Sequence, residues 1–304
     1  LQQLIIKKNP LMNQPIAESE LILNPDGSIY HLKLHPENIA NDIILVGDPG
    51  RVSMISEYFD KVEFRQANRE IHTHTGYIGS KRLTVLSTGM GTDNLDIVIN
   101  ELDAISNIDL TTRTPKTSHK SLNLYRLGTS GALQPEISVD SFVASSHGIG
   151  IDGLMWFYEQ VNEVIDKEMT EAFLTKTQWP SELPQAYAVA GSETLLSTVG
   201  CDFLKGITAT APGFFGPQGR VLRMPLAYPD LNHRISHFEH KGQKITNFEM
   251  ETSALYGLSK ALGHQAMTVC AIIANRERKE YSKDYKISVR KLVETLLDKL
   301  VSAQ

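Results

Sequence analysis

Three arginines stand where their charge is destabilising if left alone and useful if met by an anion: Arg51, Arg126 and Arg220. Arg51 closes Gly47-Asp48-Pro49-Gly50-Arg51, directly after the apolar run Ile43–Val46. A glycine at a strand end lets backbone N–H groups approach an anion, and the positive end of the following helix adds to the attraction. A guanidinium then supplies a permanent bidentate charge suited to phosphate. Arg126 sits inside an apolar run and leads into Leu127-Gly128-Thr129-Ser130-Gly131-Ala132. An unpaired charge there is strongly destabilising, so something anionic must meet it. Two readings stand: a core carboxylate, or the same oxyanion as Arg51, with the Thr129 hydroxyl donating as well. Between these segments lies Thr88-Gly89-Met90-Gly91-Thr92, another glycine-rich strand-to-helix turn. It lacks the Gly-Lys-Ser/Thr of a P-loop and the third glycine of a dinucleotide fingerprint, which argues against nucleoside triphosphate and NAD chemistry.

Two later clusters have a different character. Phe214-Phe215-Gly216-Pro217-Gln218-Gly219-Arg220 combines aromatic faces with a carboxamide and a guanidinium, a set able to stack on and hydrogen-bond a planar polar heterocycle. A Gly/Pro turn with buried phenylalanines is the plainer reading. Phe248-Glu249-Met250-Glu251-Thr252 opens a helical pattern. Its carboxylates fit either a helix cap or a grip on two vicinal hydroxyls, with Met250 packed on a sugar.

These groups need a scaffold. Near-continuous apolar runs at Ile43–Val46, Leu83–Ser87, Leu122–Leu127, Ser141–Ser145, Ala186–Ala190 and Met267–Ala274 predict strands covered on both faces. Helical periodicity marks Asp93–Ile105, Thr252–Leu262 and Tyr285–Val301. The alternation predicts an α/β fold, a three-layer α/β/α single domain around a mixed, largely parallel sheet. In such sheets ligands bind beyond the carboxyl ends of the strands, where the glycine-rich segments lie. Asp109–Ser121 reads as an exposed polar insert and Trp179–Gln185 as a surface connection. Residues 1–28 read as a poorly ordered lead-in without the pattern of a signal peptide, leaving 29–304 as the domain.

Composition narrows the function classes. The 304 residues carry 30 Lys+Arg against 35 Asp+Glu, a formal charge of −5, which argues against non-specific nucleic-acid binding. No apolar stretch approaches the ~18 residues of a membrane span. Cys201 and Cys270 are too few for a disulfide framework and fit a reducing, cytoplasmic setting.

Taken together the motifs resemble the nucleoside phosphorylase-I family, and its uridine branch more than its purine branch. The resemblance rests on GDPGR at 47–51, NRE at 68–70, STGMGT at 87–92, RLGTSGA at 126–132, FFGPQGR at 214–220, FEMETSAL at 248–255 and ANR at 274–276. It implies a pentosyltransferase that cleaves a nucleoside with phosphate to give free base and ribose 1-phosphate, uridine being favoured and deoxyuridine or thymidine left open. Carried over by motif, Gly47, Arg51, Arg126 and Thr129 would bind phosphate. Arg69 resembles the arginine that the family lends to a neighbour's phosphate site, and His31 the histidine that reaches a neighbour's ribose. Met250 and Glu251 would hold the ribose, Gln218 and Arg220 would read the base edge, Phe214 would stack on it, and Arg276 would lie near the leaving base.

The resemblance also implies a homo-oligomer, at least a dimer and in bacterial members often a hexamer, with shared sites. No cofactor or metal is expected, and phosphate is a co-substrate. A monovalent cation is doubtful, because Asp93 and Asn94 stand where bacterial uridine-cleaving members have a shorter polar residue, although Glu70 is present. Purine-cleaving members place an aspartate after the Ala-Asn pair, where this chain has Arg276. The alternatives are a purine phosphorylase, a nucleosidase of the same fold using water, and a non-catalytic nucleoside-binding protein.

Overall fold

A computed structural model describes residues 14–302. In chain order the first elements are β1 (Asp42–Val46), α1 (Gly50–Ser56), β2 (Lys61–Asn68), β3 (Ile71–Ile78), β4 (Lys81–Ser87), α2 (Thr92–Asn107), β5 (Ile108–Asp109) and β6 (Thr114–Pro115). β7 (Asn123–Ala132), β8 (Phe142–Gly150), α3 (Val161–Val164), α4 (Lys167–Lys176), β9 (Tyr187–Ala190), α5 (Glu193–Thr198) and β10 (Leu204–Thr210) follow. The chain ends with α6 (Leu231–Ser236), β11 (Glu239–His240), β12 (Gln243–Glu249), α7 (Thr252–Ala261), β13 (Gln265–Asn275), β14 (Glu280–Tyr281) and α8 (Tyr285–Ser302).

The main sheet runs β11-β12-β10-β8-β13-β7-β1-β4-β3-β2. Two parallel blocks, β4-β1-β7-β13 and β8-β10-β12, meet at the antiparallel pair β8–β13. Along β1, Ile43 and Leu45 pack with α2 and α7, whereas Ile44 and Val46 pack with α1, α5 and α8. That alternation is the three-layer α/β/α arrangement, with an apolar core on each face of the sheet.

The structure also differs from the sequence reading. β7 continues to Ala132, so the glycine-rich stretch after Arg126 is strand rather than loop. The antiparallel flank β2–β3–β4 went unread because β2 alternates exposed and half-buried residues and has no apolar run. Within the insert, β5 and β6 pair as a short hairpin. Residues 1–13 of the expected lead-in lie outside the described residues, but 14–28 pack on the body. Leu21 is buried in the core, Leu23 bridges Ile29, and the Ile16 N–H donates to the Arg113 carbonyl.

Candidate active site

The carboxyl ends of β1 and β4 lie beside the middle of β7, Val46 being in register with both Ser87 and Leu127. Gly47 follows the first, and its α-carbon faces the Gly89 carbonyl of the second. Gly89 and Gly91 have φ of 74° and 96°, which suits glycine and lets the turn aim backbone N–H groups inward. Asp48 fixes its own turn by accepting from the Gly50 N–H at 2.8 Å. Arg51, at the start of α1, makes no ion pair among the described residues. Burial pushes its pKa down, the nearby Asp48 charge offsets part of this, and the positive charge of Arg126 adds to the fall. Thr129 presents a half-buried hydroxyl with no hydrogen bond to the described protein.

Arg126 is buried and does not wait alone. Its Nη2 donates to Glu251, and its Nη1 lies 3.3 Å from Glu249 and 3.8 Å from the Cys270 sulfur. Of the two readings of this arginine, the structure shows the core-carboxylate one. Burial opposes its charge, but the Glu251 and Glu249 carboxylates more than offset this and hold it firmly protonated. A guanidinium has five N–H donors, and the Arg126 Nε–H remains without a partner. The side chain curls over Gly128, where any β-carbon would collide with Nη1 and lie 2.9 Å from the Cys270 sulfur. Burial pushes that thiol up to about 12, so Cys270 stays neutral beside the arginine.

Glu249 is the residue that sequence reasoning missed. It ends β12 and accepts from the N–H groups of Glu251 (2.9 Å) and Thr252 (3.0 Å) and from the Thr210 hydroxyl (2.7 Å). The helix-cap reading of this acidic cluster thus belongs to Glu249, which leaves Glu251 to face the site. Glu251 is 4% exposed and accepts from the Gly91 N–H at 2.8 Å. Burial raises its pKa, the Arg126 charge pulls it back, and the Glu249 charge adds to the rise. The strand β12 crosses to β7 here, Phe248 opposite Gly131, which is how the acids reach the arginine. Met250, half-buried, lies between them in the chain.

The base-reading residues also gather. The Arg220 Nη1 donates to the Phe214 carbonyl and to the Gln218 Oε1, both at 2.6 Å. The Arg276 Nη1 donates to the Gln218 carbonyl at 2.5 Å, and its side chain runs past Gly131. The Gln218 Oε1 is thus engaged within the chain, and the residue is 2% exposed. Burial lowers the pKa of both arginines; Arg276 adds to the fall at Arg220, while the Glu277 charge offsets part of it at Arg276. Phe214 is 51% exposed, but the Arg220 guanidinium lies 3.8 Å over its ring. One face is therefore covered by this cation–π contact, and a base stacks only on what remains.

His31 and Arg69 form a third group. Arg69, exposed at the β2–β3 turn with φ of 55°, lies 5.9 Å from the centroid of the Tyr30 ring. Asn68 donates to the His31 carbonyl at 2.8 Å. Neither residue has a hydrogen bond or ion pair with Arg51 or Arg126 of its own chain among the described residues. Glu70 reaches the Gly89 turn, as does Asn94. Together with Asp93 they form no converging set of carboxylates for a cation among the described residues.

Two features elsewhere take no part. Asp103, His119 and His264 cluster, but the Leu122 N–H donates to the His264 Nδ1, so Nε2 carries the proton and has no lone pair for a metal. A cleft of about 520 Å³ lies between Asp26–Pro36 and Ile108–Lys116, where Asp26 is bonded to Ser28 and Asp109 to Thr111 and Thr112.

The sequence profile of the phosphorylase superfamily matches residues 42–303. The chain belongs to that superfamily. Among its relatives, a uridine phosphorylase of Thermococcus kodakarensis is 29% identical over 280 residues, 90% of this chain and 86% of the relative. One of Escherichia coli is 26% identical, over 83% of this chain and 88% of the relative. A crystal structure of a Trypanosoma brucei nucleoside phosphorylase, described as showing uridine phosphorylase activity, superposes with a TM-score of 0.83 at 29% identity, covering 93% of this chain and all of that one (100%). Membership of the phosphorylase superfamily makes the chain a pentosyltransferase with nucleoside and phosphate as substrates. Among the described residues no helix is long and apolar enough to cross a membrane.

Proposed function

We propose that this chain cleaves uridine with inorganic phosphate to give uracil and ribose 1-phosphate. The observation that carries the reading is Arg51, a half-buried guanidinium with no ion pair among the described residues, which feels the charge of Asp48 and, less strongly, that of Arg126. Two like charges on paired strands, Arg51 just after β1 and Arg126 within β7, favour a shared anion. Phosphate on Gly47, Arg51, Arg126 and Thr129 would lie beside Glu251, whose carboxylate accepts from two ribose hydroxyls while Met250 packs on the sugar. Arg126, bonded to Glu251 and still holding an unused N–H, links the two subsites.

As the glycosidic bond breaks, positive charge grows at the anomeric carbon and negative charge on the base. The fixed dianion meets the first as nucleophile, and such positioning lowers a barrier by about 7–11 kcal/mol. Arg220 and Gln218, with Arg276 behind them, meet the second, at about 3–4 kcal/mol per well-placed donor. Uracil leaves as an anion spread over two carbonyls and needs no general acid, whereas a purine wants a proton at N7. Arg276, in place of an acid, therefore favours uridine over purine nucleosides.

In this reading one domain, which takes in the packed residues ahead of 29, works as a homo-oligomer of at least two copies, with Arg69 and His31 serving a neighbour's site. That neither is bonded to Arg51 or Arg126 of its own chain among the described residues supports that division. The two unpaired cysteines support a reducing, cytoplasmic setting and a part in pyrimidine salvage. Uracil release from uridine is expected to vanish in phosphate-free buffer and return with phosphate or with arsenate, its mimic. Release at an undiminished rate without either would mark a nucleosidase, and binding without release a sensor; either outcome overturns the proposal.

A further inference from the structure

His31 is held by Glu101, seventy positions along the chain. The Glu101 side chain, on α2, is 14% exposed and gathers four contacts. It accepts from the His31 backbone N–H at 3.0 Å through each oxygen and from the Leu32 N–H at 2.8 Å, and its Oε1 lies 2.6 Å from the His31 Nδ1. A carboxylate only accepts hydrogen bonds, so Nδ1 must carry the hydrogen. Neutral His31 is then the Nδ1–H tautomer, with a bare lone pair on Nε2. Nε2 has no hydrogen-bond partner among the described residues. Asn68 fixes the His31 carbonyl at 2.8 Å, and the Tyr30 ring stands edge-on at 4.7 Å, so backbone and ring are both set.

We infer that Glu101 is a positioning residue for the reaction: it locks His31 into the tautomer whose Nε2 accepts a hydrogen bond from a hydroxyl of a neighbouring copy's nucleoside. The substrate half of this statement rests on the proposed function; the tautomer half does not. The logic is that of a carboxylate orienting an imidazole through one nitrogen so that the other is presented in a single protonation state. A lock of this kind selects a ligand that donates at that point and disfavours one whose hydroxyl is removed or capped.

The test has two parts, both on the full chain. The first is ¹⁵N NMR of protein labelled in histidine at about pH 8, where ordinary imidazoles are neutral, with His31 assigned by comparison with His31→Gln. The expected spectrum shows Nδ1 protonated and Nε2 bare in the wild type, with the opposite tautomer gaining population in Glu101→Gln. A wild-type His31 protonated at Nε2 overturns the inference, whatever the enzyme's activity. The second part is a double-mutant cycle on uridine phosphorolysis. Glu101→Gln is expected to raise the KM for uridine about tenfold, with a smaller change in kcat. In the His31→Gln background the same substitution should add almost nothing. An undiminished effect there shows that Glu101 acts through packing instead and overturns the positioning role. If Glu101→Gln fails to fold, the wild-type spectrum still decides the tautomer. Absence of phosphorolysis in the wild type counts against the proposed function alone.

Discussion

Arg51→Ala is expected to lower kcat/KM for phosphate by about 10²–10³, the scale of losing one preorganised donor to a reacting oxyanion, while the melting temperature stays the same or rises. The second half of the expectation is the discriminating one. Arg51 makes no ion pair among the described residues; burial presses its pKa down, the Asp48 charge offsets part of that, and the Arg126 charge adds to the fall. Its ionised form is therefore a net burden on the folded chain that a bound anion relieves further, a stability–activity trade-off of the kind found at binding sites. Phosphate-saturation kinetics and a thermal melt, run side by side, check both halves. A structural arginine would give the reverse pattern, with lost stability and retained turnover.

Arg126→Ala should behave differently, because this side chain serves the fold as well as the site. It is paired with Glu249 and Glu251, which are 4% exposed each. Removing one member of a buried ion cluster typically costs about 3–5 kcal/mol, because the remaining charges are left uncompensated. Activity should fall by at least about 10³, since the phosphate donor and the brace on Glu251 go together. The instability should also depend on pH. With the arginine gone, burial and the neighbouring Glu249 charge raise the Glu251 carboxyl unopposed, further above its unfolded value. A carboxyl raised in the folded state keeps its proton longer there than in the unfolded chain. Stability is then highest below the unfolded carboxyl pKa and falls as pH climbs through the raised folded value. Urea melts from about pH 5 to pH 8 should show the variant losing stability more steeply than the wild type. A parallel pair of profiles would mean that the two acids are not held by Arg126.

Much of this was legible in the residues themselves. The runs Ile43–Val46 and Leu83–Ser87 became β1 and β4 nearly residue for residue, because a strand covered on both faces needs an unbroken apolar stretch. The helices α2 and α8 were readable because each buries one stripe, and α7 because its apolar residues recur at helical spacing although it is buried nearly all round. What stayed hidden depends on distant partners. Nothing near Arg126 in the chain announces that Glu249 and Glu251 will meet it; the crossing of β12 onto β7 at Gly131 does that. Glu101 likewise reads as one more polar position on an amphipathic helix until the chain folds it under His31. Phe214 shows the opposite case, an exposed ring expected to stack on a base but with one face already covered by Arg220.

The claim on which the rest depends is that Arg51 and Arg126 hold a single phosphate beneath the sugar. A crystal structure of the protein grown in inorganic phosphate tests it without assuming any activity. The account predicts tetrahedral density bonded to the Arg51 guanidinium, to a free N–H of Arg126 and to the Thr129 hydroxyl, at donor–acceptor distances of about 2.7–3.0 Å. Density elsewhere, with Arg51 turned to solvent and Arg126 bonded only to Glu249 and Glu251, would contradict it.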